Sequence, residues 1–146
     1  MSLFNVFNVA GTGLSAQSVR LNTTASNLAN AQSVSSSIDQ TYRARHPVFS
    51  VASSSPFEND FYNYYVGQAP SAGVEVLGVV ESDASLRQQY EPSNPQANED
   101  GYVFYPNVNV VEEMANMISA SRSFQMNVEV MNSAKTMVQR LLALGQ

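Results

Sequence analysis

The last thirty-five or so residues place the hardest constraint on this chain. Val110, Met117, Phe124, Met131 and Val138 recur every seven positions, the spacing of a helix that packs along a seam. Met114, Val128 and Leu142 fill the alternate row, which Ser121 and Lys135 interrupt, and Val111 and Ile118 broaden the stripe. The pattern predicts one helix over 110–144, roughly 52 Å long at 1.5 Å per residue. A helix of that length outruns the core of a small domain, so it must be sheathed by another helix of similar length. Its ends are marked. Asn109 stands as N-cap with Glu112 three residues later, a capping-box arrangement. Glu112 and Glu113 favour the positive helix end, Arg140 favours the negative one, and Gly145 sits where a stop belongs.

Within the chain, only the N-terminus offers a partner of the required length. Phe7, Leu14, Leu21 and Leu28 are also spaced by seven, and Phe4, Ala10, Ala25 and Ala29 widen that stripe. Residues 1–30 carry a single charge, Arg20. A helix on the surface of a monomer shows a charged face to water. This one has none, so it is either disordered or covered by protein on several sides. Gly11 and Gly13 each weaken the helix by roughly 1 kcal/mol relative to Ala. They mark either the close approach of another backbone or a bend near the start.

Between the arms the pattern changes. Residues 31–40 read as loop. Residues 47–51 and 73–80 read as strands, and 102–105 as a third, ended by Pro106. The stretch 91–101 (EPSNPQANEDG) is turn chemistry. The sequence therefore predicts an α+β chain: long N- and C-terminal helices paired as a coiled coil, with a small β-rich domain between them. The expected divisions are a helical arm at 1–32, a β-rich outer domain at 33–106 and the long helix at 107–146. Charge follows the same partition. Residues 31–108 hold three arginines against nine acids, which leaves −6, whereas residues 109–146 balance three against three.

Several function classes fall away. The net charge of −5 and the single lysine, Lys135, lack the basic footprint of a nucleic-acid binder. Without cysteine there is no disulfide framework and no thiol chemistry. No apolar run approaches the ~20 residues of a membrane span, and the N-terminus lacks the basic start and apolar core of a secretory signal. His46 is the only histidine. Ser50, His46 and Asp39 can be named as a triad, but neither a strand–Ser–helix elbow nor a glycine-rich oxyanion loop accompanies them. Glu99-Asp100-Gly101 reads as a turn that needs no ion. The chain is expected to be no enzyme and to hold neither metal nor cofactor. Phe57, Phe61, Tyr62, Tyr64 and Tyr65 form an aromatic cluster with two open readings: rings folded onto the β body, or an exposed contact surface.

Ala25-Ser26-Asn27-Leu28-Ala29-Asn30-Ala31 resembles the N-terminal signature of bacterial flagellar axial proteins, the rod and hook family, with Gln32 and Ser33 in place of the usual Asn-Thr. Tyr42-Arg43-Ala44-Arg45, Gly73-Val74-Glu75-Val76, Gly101-Tyr102-Val103, Pro106-Asn107-Val108-Asn109 and Glu113-Met114 resemble the proximal rod members of that family. The resemblance spans nearly the whole chain, and Asn27, Asn30, Pro106, Asn107 and Asn109 carry its motifs. It implies a structural rod subunit of the basal body in the periplasm, exported by the flagellar type III system without a cleaved signal. It implies helical assembly through the terminal helices, transmitting torque from motor to hook. The implied partners are other copies, other rod proteins, the export apparatus, MS-ring side components and the surrounding rings. Phe7, Leu14, Leu21, Leu28, Met114, Met117, Phe124, Val128, Met131 and Val138 are the expected assembly contacts. Another flagellar axial protein, or a type III secreted protein with helical arms, would share these features.

Overall fold

The computed structural model describes residues 3–52 and 73–144. The order of elements is α1 (Leu3–Asn30), one 3₁₀ turn (Ile38–Gln40) within the stretch read as loop, β1 (Arg45–Val51), β2 (Val74–Glu81), β3 (Arg87–Tyr90), β4 (Tyr102–Tyr105) and α2 (Val110–Leu144). The two helices fall where the heptad rows place them. The aromatic cluster at 57–65 and Gly145 lie outside the described residues.

Strands form two small sheets, β1 with β2 and β3 with β4. The bonds that close the two ends of the first pair, Ser82 N–H to Ala44 and Ala52 N–H to Gly73, give it an antiparallel sense. In the second pair Arg87 faces Tyr105 and Tyr90 faces Tyr102. Ser35 adds an antiparallel bridge to Phe104, so the 31–40 loop borrows one ladder position. The sequence pattern misses β3. Arg87-Gln88-Gln89-Tyr90 is exposed at every residue, so it buries no face and shows no alternation. It forms because β4, anchored by the fully buried Val103, presents a ladder to it.

The turn between β3 and β4 is built from its own polar groups. The Asn98 side-chain oxygen accepts from Asp100 and Tyr102 N–H, and Gly101 N–H donates to the Asn98 carbonyl. Gly101 has φ +82°, and a Cβ there would stand 2.8 Å from the Tyr90 ring. Gly101→Ala therefore combines a left-handed backbone with a clash. It is expected to cost at least the ~1–2 kcal/mol of the backbone effect alone, read as a lower urea midpoint with unchanged slope.

The chain divides into two compact units, Met1–Ser18 with Phe49–Leu77 and Ser121–Gln146, and Val19–Val48 with Gly78–Ala120. In the first, Ala10, Ala16 and Ala134 are buried. Gly13 meets the Asn127 side chain: an added Cβ would lie 3.0 Å from Asn127 Nδ2. Gly11 has nothing comparably near, so close approach applies to Gly13 and not to Gly11. In the second unit, Ala31, Ala44, Val103 and Ala120 are buried together with the polar Thr23, Thr24, Asn27, Thr41 and Glu113. There α1 and α2 touch through Arg20 with Asn116 and Asn27 with Glu113. Moving up one helix means moving down the other, so these segments run antiparallel.

Candidate assembly interface

Of the motif residues, Asn27 and Pro106 are buried. Asn27 is 0 % exposed and uses every hydrogen-bonding position of its amide. Its Nδ2 donates to the Arg45 carbonyl (2.8 Å) and to Glu113 Oε2 (3.1 Å). Its Oδ1 accepts from Tyr42 Oη (2.8 Å) and Arg45 N–H (2.9 Å). Burial raises the Tyr42 hydroxyl above its ordinary pKa; Arg45 opposes the shift, and Glu113 and Glu81 add to it. The Tyr42 phenol therefore remains the donor that Asn27 needs.

Asn107 knits a second junction. Its Oδ1 accepts from Ala44 N–H at 2.8 Å, and its Nδ2 donates to the carbonyls of Ser82 and Ala84. Arg43 Nη1 reaches the same two carbonyls. Pro106, just before it, is buried. Asn109 caps α2, its Oδ1 accepting from Val111 and Glu112 N–H. Among the described residues no bond returns from the Glu112 side chain, and Glu113 is the acid that turns inward. Asn30 bonds back to the Ser26 carbonyl within α1. Arg45 and Glu81 pair at 2.9 Å with both side chains about half exposed, where such a pair contributes roughly 0–1 kcal/mol.

The apolar residues do the opposite. Phe7, Leu14, Leu21 and Leu28 on α1, and Met117, Phe124, Met131 and Val138 on α2, are all half-buried, and Met114 and Val128 are exposed. The buried helix positions belong to small or polar residues: Ala10, Ala16, Thr23, Thr24 and Asn27 on α1, with Ala31 just past its end, and Glu113, Ala120 and Ala134 at multiples of seven on α2. Sequence reasoning put the seam on the bulky row. It also missed Met126, Val130, Met137 and Leu141, all exposed. Their signal in the sequence is a second apolar stripe, spaced four, seven and four residues apart.

In the unit that holds Ser121–Gln146, two open grooves run along α2. One, of about 820 Å³, is lined by Phe124, Val128 and Met137 among others. The other, of about 450 Å³, is lined by Val6 of α1 with Met126, Val130, Ala134 and Met137. Met137 borders both. The arrangement offers no constellation for bond chemistry: among the described residues no group of three His, Asp or Glu converges as a metal site, and His46 is an exposed residue on β1. What it can do is bury apolar helix surface against another protein.

Residues 7–34 match the family described as flagella basal body rod protein. Residues 99–144 match the family described as flagellar basal body rod FlgEFG protein C-terminal. Over 146 residues, and over the full length of both chains, the sequence is 49 % identical to the flagellar basal-body rod protein FlgC of Salmonella typhimurium strain LT2 and 50 % identical to FlgC of Escherichia coli O6:H1. It is 36 % identical to FlgC of Borreliella burgdorferi, with all of this chain and 99 % of that one covered.

Proposed function

This chain belongs to the FlgC family of flagellar basal-body rod proteins, and from that membership we propose that its two helices pair as a coiled coil and stack with neighbouring subunits to build a torque-bearing shaft. It is a structural subunit of the proximal rod and not an enzyme. It assembles with copies of itself and with other rod proteins. The observation that carries the mechanism is the exposed apolar surface of α2, bordered by the two grooves at Met137. A neighbouring helix of like character fills each groove.

The physics of the shaft follows from that surface. A head-to-tail contact that does not close on itself propagates as a helix. Interdigitated heptad rows resist sliding and twist because close-packed side chains have no free volume to shear into. The interface proposed comprises Phe7, Leu14, Leu21, Leu28, Met114, Met117, Phe124, Val128, Met131 and Val138, extended by Met126 and Met137. The acidic middle of the chain faces outward, toward the surrounding rings. Export runs through the flagellar type III apparatus, and the first partner met is on the MS-ring side.

A tagged copy is expected to restore swimming to a strain lacking this gene and to co-purify with hook–basal bodies after detergent and high-salt washes. Recovery in the culture medium, with none in basal bodies, would rule out the rod role.

A further inference from the structure

We propose that Asn27 and Glu113 form a register lock, fixing which residues of α1 lie beside which residues of α2. The Asn27–Glu113 contact lies inside one compact unit, and the claim does not depend on the assembly reading.

The need for a lock comes from the composition of the buried rows. Ala10 and Thr24 recur at multiples of seven on α1, with Ala31 in step one residue past its end, and Ala120 and Ala134 do so on α2. Sliding one helix past the other by seven residues lays small residues on small residues again. Apolar burial changes little in such a slip, so it discriminates poorly between registers. Gln17 lies in the same α1 row, yet its buried Oε1 has no partner, so it gives the seam no address either.

Asn27 does. Each of its four bonds ends on one specific group: Arg45 N–H, the Arg45 carbonyl, Tyr42 Oη and Glu113 Oε2. Three of these tie α1 to the 42–45 segment. The fourth ties it to the first turn of α2, where Glu113 is nearly fully buried. A slip of one heptad takes Glu113 away from Asn27: the buried carboxylate loses its amide donor and one Asn27 N–H loses its acceptor, a costly outcome for polar groups removed from water. A single buried Asn sets helix register in coiled coils by the same logic. The structure repeats the register elsewhere: Gly13 approaches Asn127, and each stands two heptads from its lock residue.

The chain has no cysteine, so engineered pairs report register cleanly. In the soluble full-length chain, Gly13→Cys with Asn127→Cys reads the native register. Gly13→Cys with Ala134→Cys, or with Ala120→Cys, reads slips in either direction. Intramolecular disulfide yield is measured by mass spectrometry in three backgrounds: Asn27 unchanged, Asn27→Asp, and Asn27→Asp with Glu113→Gln. Asn27→Asp keeps the shape but faces an acceptor to the Arg45 carbonyl and the Glu113 carboxylate. The double variant exchanges amide for carboxylate and returns a donor between positions 27 and 113.

Unchanged Asn27 is expected to close the native pair and neither slipped pair. Asn27→Asp is expected to lower the native yield at least fivefold, whether slipped pairs rise or all yields fall. The double variant is expected to recover at least half of the native yield. A merely structural need for Asn would not be relieved by the exchange. A native pair that fails to close with Asn27 unchanged, stays closed in Asn27→Asp, or does not return in the double variant overturns the proposal.

Discussion

Met137→Asp is expected to stop rod completion and swimming while the exported monomer remains folded. In the single chain Met137 is 52 % exposed, so an Asp there meets water and costs little beyond helix propensity, about 0.5 kcal/mol. The same position borders both grooves, and in the proposed shaft neighbours cover it. An unpaired carboxylate buried at an apolar contact costs several kcal/mol, on the order of 3–5 for a charge left without its partner. At 1.4 kcal/mol per factor of ten, about 4 kcal/mol lowers each association constant by roughly a thousandfold. Every copy carries the change, so the deficit recurs at each contact. Electron micrographs of basal bodies and soft-agar swimming read the assembly. A monomer melting temperature within about 2 °C of the parent reads the fold. Intact rods with normal swimming would remove this face from the interface. Phe124→Asp and Leu21→Asp are expected to block the rod as well, with a larger loss of monomer stability because both side chains are already half-buried.

Ala120→Leu is expected to be the most damaging apolar substitution in the helices. Ala120 is 0 % exposed, so three further carbons have no space to enter without moving backbone. Overpacking of a filled site costs about 1–3 kcal/mol. For a chain of this size that is a fall of roughly 3–10 °C in melting temperature. Ala115→Leu on the same helix is the control: Ala115 is exposed, and surface changes of this kind stay within about 0.5 kcal/mol. Equal melting temperatures for the two variants would show that the helix backbones have room between them. A lower value for Ala120→Leu alone shows that small side chains are what allow the close approach.

The two predictions draw on different parts of the sequence pattern. The heptad spacing of Met117, Phe124, Met131 and Val138 announced a long helix needing cover, and α2 runs over the residues that the spacing marked. Asn109 was readable as a cap because its short side chain competes for the first free N–H groups, and it accepts from Val111 and Glu112. The strand at 87–90 was not readable, since all four residues stay in water and nothing in their order records a face. Nor was the inward role of Glu113. A carboxylate beside a helix start looks like a dipole partner until the fold brings Asn27 to it.

The chain's own order of residues determined that it carries two long apolar helices around a turn-rich acidic middle, because seven-residue spacing and the distribution of charge are local properties. It also determined where α2 begins. Only the tertiary structure decided which row of each helix lies deepest. Bulky and small rows share the same period, and periodicity cannot choose between two stripes a residue or two apart. The fold chooses, and it gives the buried places to small side chains, Ala10, Ala120 and Ala134 among them. That choice leaves large side chains such as Met126, Met137 and Leu141 exposed.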